Sequence, residues 1–228
     1  MRLPMLTCES KILLMQRLQD YARLDYRYYF QGEVGLDKLN SLSRKFAQQY
    51  DTELSKFQRA RRKRSGEAVT QFLVWTPEDS DKARFWLLAT EGKGRVHDYE
   101  TLLDLRDKAN RIRLPDYELV HDGVSWSWRM SQATYSFHQK RLRNAILARN
   151  DLLYGVAVAS LYQSPGFRLV RRQVGMLARW LRLEWGKLRK EPMQELPTFL
   201  PYVRRLPNPV AKTKSRSTRS AVVADEAA

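Results

Sequence analysis

The chain has 228 residues, 43% of them hydrophobic, and a formal net charge of +16. Its length and apolar content suffice for a packed core. A domain this size needs a net charge of only about 2–8 to stay soluble, so the excess implies an anionic partner, with nucleic-acid phosphate foremost. The single cysteine, Cys8, excludes an intrachain disulfide framework and a multi-cysteine zinc site.

Residues 8–25 place Ile12, Met15, Leu18, Tyr21 and Ala22 at helical spacing, with Glu9 or Ser10 suited to the start. The aromatic cluster Tyr26, Tyr28, Tyr29 and Phe30 comes next, closed by Gly32 and Gly35. Tyr28, Tyr29 and Phe30 are candidates for stacking on unpaired bases, or else they belong to the core. A second helical pattern runs from about 36 to 62 through Leu36, Leu39, Leu42, Phe46, Tyr50, Leu54 and Phe57. It ends in the cations Arg59, Arg61, Arg62, Lys63 and Arg64. A helix C-terminus favours two or three cations through its dipole; the surplus points to phosphate, or to a nuclear localisation signal in a eukaryotic host.

Residues 69–75 and 84–90 are short apolar runs around an acidic turn, and they predict a β-hairpin. Residues 97–112 read as a connecting helix with Leu102, Leu105 and Ala109 inward. A second hairpin is expected from 117–120 and 124–130 around His121-Asp122-Gly123. Trp126, Trp128 and Met130 alternate with Ser127 and Arg129, the pattern of a half-buried strand, so the indoles are expected in the core.

The last third predicts helices over 132–148, 151–162 and from 167 onward. The stretch 167–190 is the most informative in the chain. Phe167, Val170, Val174, Leu177, Leu181 and Leu188 form an apolar stripe, widened by Leu169, Met176, Trp180 and Leu183. Arg168, Arg171, Arg172, Arg179, Arg182, Arg189 and Lys190 gather on the opposite face as a cationic rail. Lys140, Arg141 and Arg143, with Arg129 and Arg149, make a third basic cluster, and Lys212, Lys214, Arg216 and Arg219 a fourth in the tail. Arginine suits such a role because its planar fork binds phosphate bidentately.

Chemistry-bearing clusters are sparse. The histidines are His97, His121 and His138, and no H-x-H or H-x3-H spacing occurs. Pro115-Asp116-Tyr117-Glu118 resembles the opening of the PD-(D/E)xK nuclease pattern, but Leu119-Val120, next in the chain, supplies no lysine. Asp116, Glu118 and His121 are the catalytic candidates, with Lys140 or Tyr135 as partners of His121 in a metal-free ribonuclease. The bland reading of all three is turn acids and caps. Glu91-Gly92-Lys93-Gly94 reads as a turn rather than a phosphate loop.

The expected architecture is α+β: N-terminal helices, an antiparallel sheet of about four strands in two hairpins, a helical C-terminal third and a disordered basic tail. The divisions fall at 1–65 (helical segment), 66–131 (sheet with connecting helix), 132–206 (helical bundle) and 207–228 (tail), with 1–206 as one compact unit. The function expected is a nucleic-acid-binding accessory protein or subunit of a nucleoprotein machine, partnered by DNA or RNA and by other proteins, without metal or cofactor. An endonuclease or ribonuclease, or a basic protein-interaction scaffold, is the alternative. A reducing compartment is expected: the cytoplasm or nucleoid, or the nucleus in a eukaryote. No secretory signal is expected, because Met1–Leu6 is short and Lys11 interrupts the next apolar run. No run approaches the roughly 20 apolar residues needed to span a bilayer, so no membrane is expected.

Overall fold

The computed structural model describes residues 6–78 and 80–207. The expected basic tail, with Lys212, Lys214, Arg216 and Arg219, lies outside the described residues. The architecture is α+β, as the sequence predicts. Both predicted hairpins form, but each belongs to its own sheet. The first is β3 (Thr70–Trp75) with β4 (Lys82–Ala89). It is enlarged by β1 (Leu6–Cys8), β2 (Tyr28–Gly35) and β5 (Leu103–Asp104) to a five-stranded sheet of order β1-β3-β4-β2-β5. β1 runs parallel to β3, so this sheet is mixed. The second hairpin, β7 (Tyr117–His121) with β8 (Trp126–Met130), gains only the edge strand β6 (Arg113–Leu114). The division at 65/66 therefore cuts through one sheet, since β1 and β2 precede it and pair with strands that lie beyond it.

β2 is the strand that the sequence hides. Its residues alternate, but both faces of the sheet are covered. Tyr29 points into the larger core with Leu73, Trp86 and Leu88, while Tyr28 and Phe30 pack with Phe72, Phe85 and Leu87 on the other side. A strand apolar on both faces loses the period-2 signal. The register Tyr29↔Leu88 and Gly32↔Phe85 fixes a close approach: a Cβ on Gly32 would meet Phe85 Cζ at 2.8 Å.

The helix predicted over 36–62 is two helices. α2 (Leu39–Tyr50) buries Leu39, Phe46 and Tyr50 against the outer sheet face. Asp51, at φ 55°, ends it in the left-handed conformation. α3 (Lys56–Arg64) then restarts on a capping box between Ser55 and Gln58. It buries no residue, and Phe57, expected inward, is 85% exposed.

The connecting helix expected over 97–112 shrinks to α4 (Arg95–Tyr99). The side chains of Asp104 and Asp107 accept the backbone N–H groups of Arg106 and Ala109, at 2.9 and 3.0 Å. Those local turns compete with helix and win. Leu105 is buried as expected, whereas Ala109 is exposed.

The C-terminal helices match the reading closely. α5 (Gln132–Leu147) is capped by Ser131, whose hydroxyl accepts from Thr134 N–H. α6 (Asp151–Tyr162) is capped by Asn150 in the same way through Leu153 N–H. α7 (Arg168–Leu188) packs Val170, Val174, Leu177, Leu181 and Trp185 onto β8 and α5. α1 (Lys11–Arg23) closes the other side of β8, and Trp128 Nε1–H donates to the Met15 carbonyl at 2.7 Å. Trp126 and Trp128 are core residues, as their alternation indicates.

Beyond α7 the described residues form no helix or strand, yet they are tied down as a strap. Leu200 is buried, Val203 N–H donates to Gly166 O at 3.2 Å, and Gln16 bonds both Arg204 O and Leu206 N–H. The strap lies so close that a Cβ on Gly166 would meet Pro201 O at 1.7 Å. Among the described residues no helix is long and apolar enough to cross a membrane.

Candidate nucleic-acid interface

α7 is positioned by its apolar half, and that half decides which cations remain free. Arg168, at its first turn, donates to Asp122 Oδ2 at 2.7 Å and to Ser125. That bond, together with backbone N–H groups of the turn, holds the Asp122 carboxyl well below the ordinary carboxylate range. Arg171 donates to Leu200 O at 2.6 Å, and its guanidinium lies 3.6 Å from the centroid of the Tyr202 ring. Arg189 has a side chain only 8% exposed, packed on Trp185 and facing Asp151 and Glu191. These three cations build the fold. Arg168 and Arg171 are bonded to the second hairpin and the strap, and Arg189 closes the far end of the helix.

Arg172, Arg179 and Arg182 are different. Their side chains are exposed and make no ion pair or hydrogen bond with any other described residue. At 100° per residue they share one outward arc with Gly175, Met176, Leu183 and Gly186. Lys190 is exposed just past the helix end. The rail is therefore shorter than its sequence and interleaved with apolar contacts. Met176 and Leu183, expected on the buried stripe, are 49% and 67% exposed. They lie inside the outward arc, on the side of the helix nearly opposite buried Val170, Leu181 and Trp185. Among the described residues, Glu184 near this face turns aside to Lys187 and Arg143.

The α3 cluster divides differently. Arg62 pairs with Asp51 at 2.7 Å and approaches Glu67 at 3.6 Å. Lys63 donates to Leu24 O and lies 4.7 Å from the Tyr26 ring centroid, and its burial lowers the ammonium below its ordinary pKa. Arg59 donates to Thr52 O. With the Gln71 amide turned toward it, Oε1 accepts from the Arg59 guanidinium at 2.5–2.8 Å. Arg61 and Arg64 stay exposed. On α5, Lys140 and Arg143 are exposed, while Arg141 donates to Ser160 Oγ at 3.1 Å.

The stacking candidates belong to the core rather than to a base-binding surface. Tyr29 is buried and donates its hydroxyl to Asn110 O at 2.9 Å. Tyr28 meets His97 edge-on and Phe30 meets Phe85. The catalytic candidates do not converge. Asp116 pairs with Lys11 at 2.6 Å, and Glu118 is held among Arg111, Arg113 and Arg129. His121 sits at the hairpin turn, at the other end of β7, its Nδ1 accepting from Gly123 N–H. Tyr135 and Lys140 lie on α5, the far side of β8 in sequence, and neither bonds to His121. Among the described residues no three His, Cys, Asp or Glu side chains cluster as a metal would require. Family models, curated proteins and solved structures yield no match to this chain.

Proposed function

We propose that this chain is a nucleic-acid-binding accessory protein, or a subunit of a larger nucleoprotein assembly, that grips a polynucleotide through its phosphate backbone. The observation that carries the reading is the outward arc of α7. Arg172, Arg179 and Arg182 stand there without carboxylate partners among the described residues, on a helix anchored by buried leucines. Like charges spaced along a rigid helix repel one another, and an anionic strand relieves that repulsion. Lys190 extends the arc, and Arg61, Arg64, Lys140 and Arg143 add further exposed cations. Met176 and Leu183 within the arc suit sugar or base surfaces between phosphates. Asp116 and Glu118 already neutralise cations of the fold, which favours binding over phosphodiester cleavage. Leu152, Leu153 and Val156 on the exposed side of α6 support the protein-partner half of the reading. The place of work is then the cytoplasm or nucleoid, or the nucleus in a eukaryote.

The test is anisotropy of labelled single- and double-stranded DNA and RNA as salt is raised. Backbone gripping predicts a log–log slope of about −0.7 to −0.9 per phosphate neutralised, with little sequence preference. Flat salt dependence, or salt-sensitive capture of an acidic protein with no nucleic-acid shift, overturns it.

A further inference from the structure

A cleft of about 540 Å³ opens between the second hairpin, α5 and α6, and no cation of the α7 arc lines it. Its lining is unlike the rest of this basic molecule. Thr134, Ser160, Ser164 and Gln163 line it, with one carboxylate residue, Asp116, and one imidazole, His138. The Thr134 and Ser160 hydroxyls are already bonded to Ser131 and Arg141. Phe137 stands in the lining and is 57% exposed, with Arg141 over its ring at 6.0 Å and His138 meeting it edge-on. His138 is only 7% exposed, and its Nδ1 has no hydrogen-bond partner there. A buried ring nitrogen left unbonded is costly, so this one is a group waiting for a ligand or a water. Burial, aided by Arg141, holds the His138 pKa below its ordinary 6.5. The ring is therefore neutral at pH 7, with one donor and one acceptor.

This chemistry selects among ligands. A phosphate is disfavoured, because the ionised group in the lining is a carboxylate. A purely apolar ligand would leave the Asp116 carboxylate and the unbonded His138 imidazole unmet. A flat ring with mixed donors and acceptors on its edge suits both: its face on Phe137, its edge toward the polar lining. Lys11 takes only Asp116 Oδ2, which leaves Oδ1 to accept from a ligand amine. Carboxylates read exocyclic base amines in this way. Outside the ring site the same helix supplies cations. Arg141, bonded to Ser160 Oγ, lies 6.0 Å from the centre of the Phe137 ring, and Lys140 is exposed beside it. A base held in the cleft would have its sugar-phosphate next to them.

We infer that this cleft is a base-binding site, taking an unstacked, amino-bearing nucleobase (cytosine, guanine or adenine) with Phe137 as the stacking platform and Asp116 as the acceptor of the exocyclic amine. The proposal rests on the nucleic-acid reading for the source of the base, but the cleft can be tested without any phosphate. The Phe137–Arg141 edge and the Asp116 acceptor come from separate segments of the chain, which is why no motif announces the site.

The experiment is ligand-observed NMR with free cytidine, guanosine, adenosine and uridine. The full chain is compared with Phe137→Ala and Asp116→Ala. Phe137 is exposed, so its removal leaves the core intact. The expected result is binding of at least one amino-bearing nucleoside, weakened about ten-fold or more by Phe137→Ala. Uridine should bind more weakly than cytidine, and Asp116→Ala should level the two. The inference is overturned if the wild-type chain binds no nucleoside, if Phe137→Ala binds them equally well, or if the wild type does not distinguish cytidine from uridine. Because nucleosides carry no phosphate, these failures leave the α7 reading standing. Equally, loss of strand binding at α7 leaves the nucleoside result standing.

Discussion

α3 and α7 carry similar cationic sequence and are held to the molecule in opposite ways. α7 is 21 residues long and docks through a buried apolar half, so its outward arginines are free of structural duty. α3 has 9 residues and buries none of them, so its cations do the docking. Arg59, Arg62 and Lys63 reach back to Thr52 O, Asp51, Glu67 and Leu24 O, leaving Arg61 and Arg64 outward. Within α7 itself a few cations also serve the fold: Arg168 and Arg189 pair with acids at the two ends of the helix, and Arg171 is taken by the strap. Charge in a sequence therefore marks potential binding surface only where apolar packing has already secured the element.

Four predictions press on this contrast. Leu177→Ala, beneath the middle of α7, should cost about 2–5 kcal/mol in denaturant unfolding. Phe57→Ala on α3 should stay within about 0.5 kcal/mol. Similar costs at both sites would erase the distinction. Gly166→Ala forces a Cβ into Pro201 O, so it should destabilise by about 1–3 kcal/mol and raise amide exchange along residues 200–206. An unchanged exchange pattern would show that the strap is not seated there. Arg62→Ala removes a partly exposed pair with Asp51, so the global loss should be under about 1 kcal/mol. The amides of α3 should nonetheless exchange faster, and faster still in high salt, whereas α7 amides should not respond to salt.

The smallest effect concerns pH. Arg168 lowers the folded pKa of the Asp122 carboxyl below its ordinary value of 3.8. The stabilisation linked to that shift is complete above the unfolded pKa and fades as pH falls toward the folded one. NMR of the Asp122 carboxyl should accordingly show no titration step between about pH 3 and 5, where a free aspartate titrates. A normal step would make Arg168 another free cation of the rail.

Much of the fold is legible in the sequence where one side chain decides one local event. The helices starting near 132 and 151 are readable, and Ser131 and Asn150 cap them. The alternation of Trp126, Trp128 and Met130 marks a strand with its indoles in the core, although Ser127 between them is buried as well. The apolar spacing from Val170 to Leu181 marks the buried face of α7. Legibility fails where a decision is shared with distant chain. β2 looks irregular because Tyr28, Tyr29 and Phe30 serve two cores at once. Asp51 breaks a helix whose apolar period continues to Phe57, and Asp104 and Asp107 replace a helix with turns of their own making. The basic face of α7 is readable as a whole. Its division into structural and free arginines is not, because Leu200, Tyr202 and Asp122 arrive from elsewhere in the chain. The cleft beside His138 left no trace, since its parts come from a strand edge and two helices.

The central claim, that unpartnered cations on the outward arc of α7 grip a polynucleotide, is tested most directly by reversing Arg172, Arg179, Arg182 and Lys190 to Glu together. Arg171 is spared because it holds the strap. The account predicts an unfolding midpoint near that of the parent, strand affinity lower by several orders of magnitude at moderate salt, and a log–log salt slope shallower by about 3–4. Parental affinity and slope in a folded quadruple variant would contradict it.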